Sequence, residues 1–121
     1  MLLNDFFNIT ELTNDGTNVN AELTLNVFHP IFTGHFPGQP VVPGVCMMQM
    51  VKELVESVTG KITDLSIAHE MKFLVIIDPN KNNRVNAVLK YTVDGNKVNV
   101  VASLQNEQTI HFKFKGQFDF Q

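Results

Sequence analysis

At 121 residues, 44% of them apolar and with a net charge of −3, the chain is sized for one globular domain, residues 1–121. The acidic balance provides no basic footprint for nucleic acid, and no apolar run approaches the roughly 18 residues of a membrane span. Cys46 is the lone cysteine, so no intrachain disulfide forms, and the first residues, MLLNDFF, lack the basic start of a signal peptide; a cytoplasmic location follows as the expectation.

In chain order, the stretch around Phe6 to Leu12 is predicted to pair with Thr17 to Val27 through an Asn14-Asp15-Gly16 turn. The second stretch alternates cleanly. Val19, Ala21, Leu23, Leu25 and Val27 fall on one side and Asn18, Asn20, Glu22, Thr24 and Asn26 on the other, the mark of a half-buried strand. From about Pro43 to Val58 the period becomes helical, with proline in the first turn and Gly60 at the end. Met47, Met50, Val51, Leu54, Val55 and Val58 form its apolar face, and Gln49, Lys52, Glu53 and Glu56 cluster opposite. Ile62 to Ile77 reads as one long, mostly apolar strand. Arg84 to Val93 and Lys97 to Leu104 alternate about an Asp94-Gly95-Asn96 turn, and Ile110, Phe112, Phe114, Phe118 and Phe120 mark the last strand. Strands, one helix, then four strands is an α+β pattern. An antiparallel sheet wrapped around one long helix is its economical solution.

The most informative segment precedes the helix: His35-Phe36-Pro37-Gly38-Gln39-Pro40-Val41-Val42-Pro43-Gly44. Three prolines and two glycines restrict this loop, proline by presetting φ and glycine by allowing tight turns. A titratable His is thereby held against a helix N-terminus. The first-turn amides of Gly44, Val45 and Cys46 lack intrahelical acceptors and can receive a developing anion. A base beside an anion hole is the minimum equipment for removing a proton next to a carbonyl.

This stretch, HFPGQPVVPGV running into a long helix, resembles the 3-hydroxyacyl-[acyl-carrier-protein] dehydratases of the FabZ/FabA type. Weaker similarity extends to Phe32-Thr33-Gly34 and to Lys72-Phe73 near Asp78-Pro79. The resemblance implies a hotdog fold, a homodimer or larger homo-oligomer, and a thioester substrate on acyl carrier protein or coenzyme A. It implies no cofactor, because the thioester itself acidifies the α-carbon. His35 is then the base, and the Gly44 and Val45 amides hold the thioester oxygen. Shortened, divergent members of the family resemble the dehydratases of polyene or aryl-polyene pigment pathways.

Two departures stand out. The family carries Glu or Asp fourteen residues after the His, where this chain has Gln49, and commonly Gln one turn later, where this chain has Glu53. A neutral amide cannot serve as a general acid. Glu53 therefore either assists at the leaving hydroxyl, with Gln49 as its partner, or is a solvated charge on the polar face. The chain also begins almost at the first strand, without the helix and the segment that precede it in the family, which leaves acyl length and type open. A hotdog thioesterase, with Glu53 activating water, and a non-catalytic acyl-thioester-binding or partner subunit are the rival readings.

The remaining candidates have plain structural readings. Cys46 is expected to be a buried core thiol. Met47, Met48 and Met50 are expected in the core or lining an acyl tunnel. His29 is read as a structural loop residue and His111, beside Lys113, as solvated. No spacing of His, Cys, Asp and Glu suggests a metal site.

Overall fold

The computed structural model describes residues 1–34 and 38–121. Six strands and two helices follow in the order β1 (Phe7–Asn14), β2 (Asn18–Leu25), α1 (Ile31–Gly34), α2 (Gly44–Thr59), β3 (Thr63–Phe73), β4 (Arg84–Asp94), β5 (Lys97–Asn106) and β6 (Thr109–Phe120). All pair antiparallel in one sheet of order β1-β2-β4-β5-β6-β3. β4, β5 and β6 form the expected meander. The chain between β2 and β3 carries α2 across the sheet, so β3 lands on the far edge.

The alternation predicted for β2, β4 and β5 is the observed one. Val19, Leu23, Val85, Leu89, Val98, Val100 and Leu104 point to a single core with Phe112, Phe114 and Phe118 of β6. Against this surface α2 lays Cys46, Met47, Met50, Val51, Leu54 and Val55. Each buried aliphatic or aromatic side chain here contributes on the order of 1.5–3 kcal/mol relative to exposure, which is why the long helix is held against the sheet. Gly60 ends α2 in the left-handed region at φ 70°, with its N–H donating to Glu56 O. α1 is a single turn that the sequence pattern did not signal.

Three irregularities shape the sheet. β3 carries two bulges, at Ser66 and His69, where its register against β6 slips. Residues facing the helix are therefore Leu65, Ala68, Met71 and Phe73, paired with Phe118, Gly116, Phe114 and Phe112. A third bulge, where Gln105 pairs with Ile110 and Leu104 with Phe112, leaves His111 unpaired on β6. His111 is consequently buried, not solvated. Its Nδ1 lies 3.0 Å from the Val75 carbonyl, and its own carbonyl accepts the Leu74 N–H at 2.9 Å. This clamp ends β3 at Phe73, short of the Ile77 expected from apolar character alone.

Glu56 ties α2 to the start of β3. Its Oε2 accepts the Thr63 N–H at 2.7 Å and Lys52 Nζ at 2.9 Å. Burial pushes its carboxyl up, but the Thr63 amide and the Lys52 ammonium outweigh that and hold it below the ordinary glutamate range. Its stabilising effect is therefore present at neutral pH and is lost as pH falls below about 4.3 and through the depressed folded value. Glu56→Gln should lower stability by about 1–2 kcal/mol at pH 7 and flatten the acid limb of a stability–pH curve measured by urea unfolding.

Gly116 sits where β3 crosses β6. A Cβ there would collide with the Ile67 carbonyl and come within 2.6 Å of the Phe114 ring. Gly116→Ala should destabilise by at least about 2 kcal/mol, read as a lower urea midpoint with an unchanged slope.

Candidate active site

Of the residues singled out in sequence, His35 lies outside the described residues, as do Phe36 and Pro37. The rest can be placed. After Gly38, in the left-handed region at φ 83°, the chain reaches Pro43 without regular secondary structure. The Val42 N–H donates to Ile77 O at 3.0 Å, which docks this run on the β3–β4 connection. Pro43 caps α2 with extended backbone and no side-chain acceptor. Its carbonyl accepts the N–H groups of Cys46 at 3.0 Å and Met47 at 3.2 Å. The Cys46 amide is thus committed within the helix. Among the described residues only the Gly44 and Val45 amides of that first turn have no backbone acceptor. They carry the positive end of a helix of 16 residues.

Gly44 and Val45 stand at one end of an apolar groove of about 640 Å³ between α2 and β3. Gly44, Val45, Met48, Gln49 and Lys52 form the helix wall, and Leu65, Met71, Phe73 and Phe118 the sheet wall. Phe73 stacks on Phe112 with centroids 4.9 Å apart. Its ring lies 3.0 Å from where a Gly44 Cβ would stand, so glycine is what lets the ring close against the helix N-terminus. No carboxylate lines this groove among the described residues. The sheet wall was not legible in sequence, because the bulges give Leu65, Ala68 and Met71 a spacing of three instead of two.

Glu53 is not on a solvated face. It is 1% exposed. Both carboxylate oxygens accept the Leu2 N–H, at 3.0 and 2.9 Å, and Oε1 also accepts the Leu3 N–H at 2.8 Å. Gln49 Nε2 donates to Oε2 at 2.8 Å. The donors come from a tight N-terminal turn in which Leu2 O accepts the amides of Asp5 and Phe6, with Asn4 at φ 70°. The helical wheel placed Glu53 among polar residues correctly. It could not show that residues fifty positions earlier fold over that side of the helix. Gln49 is half-buried, with Nε2 against Glu53, and it is also one of the residues that line the groove.

The other candidates take the structural roles expected of them. His29 Nδ1 accepts the Ile31 N–H at 3.1 Å, which leaves Nε2 to face Asp5 Oδ2 at 3.2 Å. Cys46 is buried, and burial pushes its thiol up, away from a reactive thiolate. Met47 and Met50 are core; Met48 lines the groove.

Residues 11–115 match the family model of the ApeI-like proteins, described as ApeI dehydratase. The chain belongs to this dehydratase family. FabZ, the 3-hydroxyacyl-[acyl-carrier-protein] dehydratase, of Zymomonas mobilis is 32% identical over 73 residues, which are 53% of this chain and 46% of that protein. FabZ of Acetivibrio thermocellus is 30% identical over 93 residues, 70% of this chain and 62% of its own length. The chain thus spans about half the length of the curated relatives it matches. A solved chain of the dehydratase heterocomplex ApeI:P from Xenorhabdus doucetiae superposes with a TM-score of 0.67 at 19% identity, covering 92% of this chain and 96% of that one. The expected hotdog architecture is the observed one. No helix among the described residues is long and apolar enough to cross a membrane.

Removing the Glu53 carboxylate orphans the Leu2 and Leu3 amides. Glu53→Ala should cost about 2–4 kcal/mol and release the amides of Leu2, Leu3 and Phe6 to fast hydrogen exchange, while α2 stays protected.

Proposed function

We propose that the protein is a dehydratase that converts a 3-hydroxyacyl thioester, carried on acyl carrier protein or coenzyme A, to the trans-2-enoyl thioester. The observation that carries this reading is the apolar groove lined by Gly44, Val45 and Gln49, where the Gly44 and Val45 amides have no backbone acceptor among the described residues. In this reading the acyl chain lies along Met48, Leu65, Met71 and Phe73. The thioester oxygen takes the Gly44 and Val45 hydrogen bonds, and the helix dipole favours the enolate-like charge that develops there. His35 removes the α-proton as neutral imidazole. Gln49, backed by Glu53, holds the β-hydroxyl as it leaves with a proton returned from His35. No cofactor is invoked, and the enzyme is assigned to the cytoplasm.

The same reading includes a homodimer with the site at the subunit interface. β3 is an edge strand whose Leu65, Ile67, Met71 and Phe73 are all exposed, and the Leu74-Val75-Ile76 run continues the apolar surface. Pairing two β3 edges would remove the open edge and cover the groove. Sedimentation at micromolar concentration should give a dimer; a stable monomer would overturn this assignment.

A non-catalytic partner subunit is the second reading. The absence of a carboxylate from the groove favours it, and the solved neighbour is itself part of a heterocomplex. One assay separates these readings and the thioesterase. With a single 3-hydroxyacyl thioester, a dehydratase yields enoyl product and a thioesterase yields free thiol. His35→Ala should reduce enoyl formation at least about 10²-fold with unchanged far-UV circular dichroism. Wild-type rates in that folded variant would remove His35 from the mechanism.

A further inference from the structure

Glu53 is a buried carboxylate whose recorded partners are all donors: two backbone amides and the Gln49 side chain. A carboxylate is acceptor-only, so it dictates which end of the Gln49 amide it meets. Nε2 must turn to Glu53, and Oε1 must turn away. Among the described residues Oε1 has no hydrogen-bond partner, and none of their buried side-chain polar atoms is left unsatisfied. Gln49 lines the groove, and Oε1 is the end of its amide that Glu53 does not hold.

We infer that Glu53 is a positioning residue: anchored by the Leu2 and Leu3 amides, it locks Gln49 with its carbonyl toward the groove, and this makes the site select a 3-hydroxyacyl over a 3-oxoacyl ligand. A β-hydroxyl donates to Oε1. A β-ketone brings an acceptor against an acceptor and loses that bond. The inference rests on the dehydratase reading for the ligand's identity but needs no turnover. It also gives the N-terminal turn a part in the site, through two backbone amides that never touch ligand.

The probes are the pantetheine amides of 3-hydroxyhexanoate and 3-oxohexanoate, which cannot be cleaved as thioesters, with binding measured by calorimetry on the full chain. The wild type should prefer the hydroxy compound by about tenfold. Glu53→Gln, whose amide can meet Gln49 either way round, should bring the ratio close to one. Gln49→Ala should do the same, and Glu53→Gln added to Gln49→Ala should not change the ratio further. Leu3→Pro, which deletes one of the two backbone donors, should lower the ratio partway. In the wild type, one hydrogen of the Gln49 side-chain amide should exchange slowly with solvent, a signature that requires no variant to fold. A wild-type ratio near one, no binding of either probe, a folded Glu53→Gln variant that keeps the wild-type ratio, or a Gln49 amide exchanging as fast as free glutamine would each overturn the inference. Failure to form enoyl product with tenfold discrimination intact would overturn the dehydratase reading and leave the positioning role standing.

Discussion

A carboxylate sealed inside the domain has to be matched by donors, and the match at Glu53 organises everything around it. Glu53 lies mid-helix, between the core face of α2 and the groove face. An unmatched charge there would cost several kcal/mol. The demand is met by the turn at residues 2–7, which is tight enough for Leu2 and Leu3 to offer both N–H groups. The turn in turn delivers Phe6 and Phe7 to the core, where Phe6 packs against Phe32 and edge-on to His29. One buried charge therefore ties the N-terminal turn to the central helix and reaches the groove through Gln49.

The groove itself is a consequence of how the helix meets an irregular edge strand. A regular β3 would present alternate residues to α2 and close flush against it. Two bulges instead bend the strand and bring Leu65, Ala68 and Met71 to one side. Gly116 allows the β3 backbone to pass close over β6, and Gly44 allows Phe73 to close against the helix start. Apolar walls on both sides, and at one end two residues whose amides have no backbone acceptor among the described residues, suit a ligand with a long apolar part and one oxygen that gains negative charge. Among the described residues the wall contains a neutral amide, Gln49, and no carboxylate.

Much of this was legible in the chain. The half-buried strands β2, β4 and β5 follow from alternation, because each side chain there needs only one face of a flat sheet. Helix α2 follows from its period, from Pro43 ahead of it and from Gly60 behind. The family that the HFPGQPVVPG segment resembles follows from residue identity, and the family match over residues 11–115 agrees. The general rule that the first turn of a helix lacks acceptors singled out the Gly44 and Val45 amides, but it also included Cys46, whose N–H the Pro43 carbonyl takes at 3.0 Å.

Tertiary structure decided the rest. Periodicity cannot register a bulge, because one extra residue inverts every side chain beyond it. Hence His111 is buried where alternation made it solvated, and the groove wall of β3 was invisible. A helical wheel reports polarity, not what covers a face. Glu53 reads as a surface charge until a segment fifty residues away supplies its donors. Local sequence determined the regular strands and the helix with its first-turn amides, since these depend on neighbours along the chain. Only the fold could decide which charge is buried, which way an amide points and what walls the groove, since those depend on atoms brought together across it.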